Sequence, residues 1–295
     1  MVKPLVSVVM ITYGHEEFII EAINGVLLQQ YDGAIELIIA NDRSPDNTDE
    51  IIKSFLQKIE IPKNIDVKYV LHEKNKGMLA NFLWTIEQGR GKYIAICEGD
   101  DFWIDPLKIQ KQVEVLEKNS EYNLCVHNTV VLKGNIEEKE DWRWDTKRQI
   151  FDLRDYIYRL FFHTSSALFR KMDNLPSYIF REGTMQADIA LFLAVIDAKK
   201  VFFISEYMST YRIHTGGITN SSLHKNQRKA YQSLLSIFEG FLTYSNSKYK
   251  REILFKMELI KRLIIVFDDK SNFLKRSKAK IEYYFYKIAL RFATI

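Results

Sequence analysis

The chain has 295 residues, 47% of them apolar and 27% charged, with two cysteines and a formal net charge of +4. That length suits one large domain or a domain with an appendage, and the composition excludes a disordered, collagen-like or disulfide-stapled chain. No apolar run approaches the roughly 20 residues needed to cross a bilayer, and Met-Val-Lys-Pro, leading straight into a strand pattern, lacks the apolar core of a signal peptide.

The apolar pattern is taken in chain order. Leu5 to Thr12 reads as a strand, and Glu17 to Gln29 as a helix with Ile20, Ile23 and Leu27 on one face. A strand at Ile35 to Ala40 leads through a polar turn to a helix at Thr48 to Ile59. A strand at Val67 to Leu71 and a helix at Met78 to Gln88 follow. The fourth strand, Tyr93 to Cys97, precedes a long helix at Leu107 to Asn119 and a strand at Asn123 to Leu132. Four βα units in this order predict an α/β fold, a parallel sheet with helices on both faces.

Lys133 to Gln149 is polar and irregular, and reads as a surface loop or lid carrying Trp142 and Trp144. An α+β stretch comes next: a helix at Leu153 to Phe162, a strand at Ser166 to Arg170, a helix at Gln186 to Ala198 and strands at Val201 to Ser205 and Met208 to Ile213. Beyond about residue 222 the pattern is helical, with breaks near residues 245–247 and 268–271. Cys97 and Cys125 lie in apolar runs, the usual setting of buried free thiols, and fit a reducing compartment such as the cytoplasm.

The small net charge hides an asymmetry. From Lys225 to Ile295 basic residues exceed acidic ones by ten, which leaves the rest of the chain at −6. A basic tail of this kind suits an anionic surface, such as the inner face of the plasma membrane, where the protein would sit peripherally. A dimerisation or packing element and a simple solvated face are the competing readings. Nothing in the pattern asks for a nucleic-acid partner.

The most informative stretch is where the fourth strand ends abruptly in Glu98, Asp100 and Asp101. Ligands of open α/β sheets bind beyond the carboxyl ends of the strands. Hard oxygen donors there suit Mg²⁺ or Mn²⁺, and such an ion suits a substrate carrying a diphosphate. Three acids against a buried strand end repel one another unless a cation sits among them. The loop also reads as the lead-in to a helix, since Asp105-Pro106 is a good helix start.

Four stretches together, Val6 to Tyr13, Ala40 to Ser44, Glu98 to Trp103, and Tyr211 to His214 before a glycine pair, resemble the inverting family 2 glycosyltransferases of the GT-A fold, of the bacterial surface-polysaccharide type. The resemblance spans residues 5–217. It implies a mixed, mainly parallel sheet flanked by helices, with a C-terminal helical extension. A GT-A domain over 1–221 would comprise a nucleotide half to about 105 and an acceptor half from about 106, with a basic helical extension over 222–295. It also implies a metal-dependent hexosyl- or N-acetylhexosaminyltransferase. The sugar would pass from a nucleotide donor, most simply a UDP-sugar, to a hydroxyl of a glycan or lipid-linked acceptor.

Carried over by position, the resemblance puts the donor nucleotide against Thr12, Tyr13, Asp42, Ser44, Asn75, Lys76, Asn81, Glu98, Gly99 and Asp100, with Asp42 accepting from a uracil ring N–H. Glu98 and Asp100 stand where the family has its Asp-X-Asp metal motif, and His214 where some relatives complete the coordination of Mn²⁺ or Mg²⁺. Many relatives carry a basic residue where this chain has Ala80, so more of the diphosphate charge falls to the metal. Trp103, Thr164, Ser165 and Arg212 fall on the acceptor side. Asp188 falls where the family places the general base. Two rivals remain: an inactive nucleotide-sugar binder, and a sugar nucleotidyltransferase, whose Gly-rich basic phosphate loop is replaced here by Tyr13-Gly14-His15-Glu16-Glu17.

Overall fold

A computed structural model describes residues 3–293 except 140, 144, 182, 198, 218–225, 246–247, 269–270 and 272. Trp144 therefore lies outside the described residues. Strands β1 (Val6–Thr12), β2 (Ile35–Asn41), β3 (Ile65–Leu71) and β4 (Tyr93–Ile96) alternate with helices α1 (Ile19–Leu27), α2 (Thr48–Lys58) and α3 (Met78–Gln88). Then come β5 (Phe102–Trp103), α4 (Lys108–Lys118), β6 (Tyr122–Lys133), β7 (Ile136–Glu138) and β8 (Ile150–Phe151). The chain continues through α5 (Leu153–Tyr158), β9 (Leu168–Arg170), α6 (Ala187–Ile196) and β10 (Lys200–Ile213) to α7 (Gln227–Tyr244), α8 (Lys250–Val266) and α9 (Phe273–Ala293).

The strands form one sheet in the order β3-β2-β1-β4-β9-β6-β10-β5, with β7 on β6 and β8 on β10. β1, β2, β3 and β4 pair in parallel, whereas β9 is antiparallel to both β4 and β6. The fold is thus the mixed, mainly parallel sheet flanked by helices that the resemblance implies, where the pattern alone predicts a parallel one. Val, Ile and Leu fill both faces of β1 and β2, as a sheet covered on both sides requires. From β1 the chain moves outward through β2 and β3, then returns to place β4 on the other side of β1. This reversal opens a crevice at the carboxyl ends of β1 and β4.

Three local expectations change. The two expected strands at 201–213 are a single β10 whose register shifts between Ile204, Tyr207 and Ser209, so the polar Ser205-Glu206 pair marks a bulge rather than a break. The two-residue β5, too short to show as a pattern, pairs with β10 at Ser209 and Thr210. The expected lid is partly anchored: β7 pairs with β6, and Trp142 donates from its backbone N to Asn128 Oδ1 and from its indole to Thr129 O, both at 2.9 Å.

The chain gathers into two compact units that interleave in sequence. One comprises residues 1–152, 161–173 and 199–214; the other 153–160, 174–198 and 215–295. The second unit thus takes in α5 and α6 besides α7, α8 and α9, whereas the expected division at 221 followed chain order. In that unit α7 packs on α8, α8 on α9, and α6 on α7. Among the described residues no helix is long and apolar enough to cross a membrane. Cys97 and Cys125 are buried and free.

Candidate active site

The crevice is built from the loops that leave β1 and β4. The first is tied to the loop after β2: Gly14 N donates to Ser44 Oγ (3.1 Å), His15 N to Thr48 Oγ1 (3.1 Å) and Glu16 N to Asp46 Oδ2 (3.0 Å). Gly14 allows the turn because its φ is +73°. The carbonyl of His15 then accepts from Phe18 N and Ile19 N at the start of α1, which fixes its backbone. The loop after β4 lies flat on the end of β1, where Gly99 N donates to Ile11 O at 3.0 Å. A Cβ at Gly99 would come within 2.9 Å of Thr12 Cβ and 3.0 Å of His15 Nδ1, so only glycine lets the loops approach this closely.

Asp100 and Asp101 emerge side by side and end in opposite states. Asp100 Oδ2 lies 3.1 Å from His214 Nε2 and 3.7 Å from His15 Nε2. Burial works to raise its pKa, but the bond from His214 and the charges of the two imidazoles prevail, holding it below the ordinary carboxylate value. Asp101 is 1% exposed, and burial followed by the charges of Asp100 and Glu98 pushes it well above that value. The repulsion expected among these acids thus shows as an Asp101 carboxyl that holds its proton more tightly than an ordinary one. Asp101 Oδ1 accepts from Arg212 N at 3.0 Å, while Oδ2, 3.6 Å from His163 Nδ1, has no hydrogen-bond partner. Burial lowers the pKa of His163 to about 4, and its ring stacks on Tyr211 with centroids 4.1 Å apart.

Arg212 clamps this loop. Its guanidinium donates to Asp100 O and to Glu21 Oε2, and lies over the rings of Phe18 and Phe102 at 4.7 and 4.9 Å. With its donors so engaged, Arg212 positions the acidic loop instead of presenting a free cation to an acceptor. Three other residues assigned to the acceptor side are also corrected. Trp103, 4% exposed, donates its indole N–H to Ser165 O (3.1 Å) beneath the Lys108 ammonium, and so offers no open face to a sugar. Ser165 is fully buried between His163 Nδ1 (2.9 Å) and Ser209 Oγ (3.1 Å), and Thr164 is buried beside it.

Two residues assigned to the donor nucleotide turn inward as well. Asp42 is 3% exposed; its Oδ1 accepts from Lys76 N (2.7 Å) and its Oδ2 from Gly77 N (2.9 Å). Its carboxylate therefore shapes the 75–77 loop. Asn81 is a buried latch, with Oδ1 2.9 Å from His72 Nε2 and Nδ2 donating to Ala40 O at 3.0 Å. Asn75, which donates to Asp42 O, and Lys76 are exposed on the rim of that loop. Tyr13 is half-exposed at the end of β1, whereas Thr12 is buried with its Oγ1 unpartnered.

His15 was not singled out from the sequence, while His163 and Arg212 were expected only as lining of the acceptor side, not as partners of the acidic loop. His15 was within reach, since it stands just beyond the carboxyl end of the first strand, where ligand-facing residues collect. Asp188 sits in the first turn of α6 in the second unit, half-buried; its charge, after burial, helps raise the pKa of the neighbouring Tyr156 phenol.

The donor set can be tested for a divalent ion. Among the described residues no three His, Cys, Asp or Glu side chains form a ready metal cage. What the crevice offers is one ionised carboxylate between two imidazoles, with the half-buried Glu98 nearby and Thr12 Oγ1, His15 Nδ1 and Asp101 Oδ2 buried without partners. This does not fit a self-sufficient structural metal. It does fit a nucleotide-borne Mg²⁺ or Mn²⁺, which takes one or two protein ligands and completes its shell with phosphate and water.

The mixed sheet thus gathers an acid and two histidines at its switch point, where ligands of open α/β sheets bind. Residues 7–175 match the model of glycosyl transferase family 2. An uncharacterized protein of Mycobacterium tuberculosis is 30% identical over 258 residues, covering 83% of this chain and 70% of that one. The chain belongs to glycosyl transferase family 2. Two solved structures share its fold. S. aureus TarS 1–349 in complex with UDP-GlcNAc superposes with a TM-score of 0.67 at 13% identity, covering 93% of this chain and 79% of that one. The mannosyltransferase PcManGT of Pyrobaculum calidifontis, in complex with GDP-Man and Mn²⁺, gives 0.60 at 12% identity, covering 99% and 80%.

Proposed function

We propose that this glycosyltransferase moves a hexose or N-acetylhexosamine from a UDP-sugar to a hydroxyl of a glycan or lipid-linked acceptor, in the synthesis of a cell-surface polysaccharide, with inversion at the anomeric carbon. The observation that carries the reading is Asp100 held between His214 and His15 at the crevice of the sheet, with its pKa kept below the ordinary carboxylate value. A carboxylate in that place is suited to hold a metal that bridges to a diphosphate. Asp100 and His214 are the proposed ligands, with Glu98 acting beside them. The bound ion would neutralise the leaving nucleoside diphosphate.

Within this reading the exposed Tyr13, Asn75 and Lys76 meet the nucleotide, and Ser44 and Asp42 hold the loops that carry them. Gly99 allows those loops to close on β1. Asp188 is the proposed general base, taking the acceptor proton as its oxygen attacks. The free, buried thiols suit a reducing compartment, so the cytoplasm is the proposed site of action.

The test is nucleotide release and sugar transfer from a panel of UDP-, GDP-, CDP- and dTDP-sugars with Mn²⁺ or Mg²⁺. The reading expects turnover with a UDP-sugar, dependence on the added ion, and loss of transfer with retained UDP binding in Asp188→Asn. Tight UDP binding without turnover on any donor would instead mark an inactive binder. Preferential turnover of GDP-mannose, the ligand of PcManGT, would replace the proposed donor.

A further inference from the structure

We infer that the outward face of α9 docks on an anionic lipid bilayer. Helix α9 has a packed side and an open side. On the packed side Ala279 is 4% exposed, Arg276 Nε donates to Val266 O at 3.1 Å, and Glu282 Oε2 meets Arg262 Nε of α8 at 3.1 Å. On the open side Leu274 is 77% exposed, Ile281 57% and Tyr284 52%. Leu274 and Ile281 are seven residues apart, just under two turns, so they stand in one line along the helix; Tyr284 follows about one turn on. Large apolar side chains exposed in a line need a partner, whereas scattered single ones do not.

Charge says which partner. Lys278 and Lys280 are exposed on either side of the apolar line. The sequence of α9 contains a single acid, Glu282, and that one is turned onto α8. A face with apolar side chains at its centre, lysines on its flanks and no acid is the composition of a helix lying in the headgroup layer of an anionic membrane. A second copy of the chain would bring the same lysines against lysines. The apolar line lies on residues 274–284 and includes Tyr284, while Tyr283 is half-buried. The side chains of Phe285, Tyr286, Lys287 and Arg291 lie outside the described residues.

The test is flotation of the full chain with phosphatidylcholine vesicles and with vesicles that also contain phosphatidylglycerol. The protein should float with the anionic vesicles only, and raising the salt should release it. Each lysine near such a surface strengthens binding about fivefold, so Lys278→Glu with Lys280→Glu should weaken it at least tenfold. Leu274→Ser with Ile281→Ser should do the same. These side chains are exposed, so both double variants should keep the wild-type unfolding midpoint and nucleotide release from a soluble donor. Failure of the wild type to float with anionic vesicles, or equal flotation of wild type and variants, would overturn the inference. So would self-association that Leu274→Ser with Ile281→Ser abolishes while flotation stays absent. None of these outcomes touches the assignment of the crevice.

Discussion

Two polar clusters stand along the carboxyl edge of the same sheet and differ in how their valences are used. At the ends of β2 and β3, both oxygens of Asp42 accept backbone amides, and Asn81 bonds His72 on one side and Ala40 O on the other. At the ends of β1 and β4, Thr12 Oγ1, His15 Nδ1 and Asp101 Oδ2 are buried without partners around an ionised Asp100. A buried polar group left unmatched is a standing penalty, whereas a matched one holds a loop. The first cluster is therefore bonded as a scaffold is, and the second is the proposed place of the chemistry, although the sequence makes them look alike.

That contrast is broken or sharpened by substitution. The largest effect belongs to Asp100→Asn, which should lower donor turnover by about 10³-fold, the scale of removing one preorganised electrostatic partner. Its stability in urea should change little, because the weakened bond to His214 is offset by removal of a charge that presses on Asp101. Asp42→Ala should behave in the opposite sense, losing about 3 kcal/mol of stability in the same titration as two charge-assisted bonds to amides disappear. Asn81→Ala should lose about 2 kcal/mol, since His72 and the Ala40 carbonyl are left unpaired, while folded enzyme keeps most of its turnover. If Asp42→Ala and Asn81→Ala unfold normally but turn over as poorly as Asp100→Asn, the division between the clusters is wrong.

A further effect lies outside both clusters and shows only as a pH dependence. Lys108 is fully buried, and burial lowers its pKa from 10.5 to about 7. Below about pH 7 both states carry the proton and the folded chain bears the full penalty of a buried charge. Between about 7 and 10.5 the unfolded chain binds a proton that the folded chain does not, so wild-type stability gains from this group as the pH rises. Lys108→Met lacks that term. Its stability relative to wild type should therefore fall between about pH 6 and about pH 9, by up to ~1.4 kcal/mol per pH unit, as read from urea titrations at each pH. Parallel pH profiles for the two proteins would show that the ammonium is better solvated than its burial implies.

The succession of elements from β1 to β4 was legible because apolar strand runs separate cleanly from amphipathic helices. β5 was not, since two residues carry no period, and the bulge at Ser205-Glu206 looked like a strand end. The acids after β4 were legible for the same reason as the strand: charge directly after a buried run is conspicuous. The inward turn of Asp42 and Asn81 was hidden, because it depends on Lys76 and Gly77 closing over the end of β2, a pairing across 34 and 35 residues. Trp103 misled as an aromatic beside an acidic motif; its indole N–H finds a partner in the core at Ser165 O. His15 shows the converse, an unremarkable loop residue that the closeness of Gly99 to β1 carries to the acid.

The central claim is that Asp100 links a divalent ion to the diphosphate of a donor. It is tested most directly by the unfolding midpoint of wild type and Asp100→Asn with UDP alone and with UDP plus Mn²⁺. Mn²⁺ should add a clear increment to the wild-type midpoint, because ligand held only by the folded state stabilises it by mass action. Asp100→Asn, equally stable without ligand, should lack that increment. An undiminished Mn²⁺-dependent increment in Asp100→Asn would contradict the account.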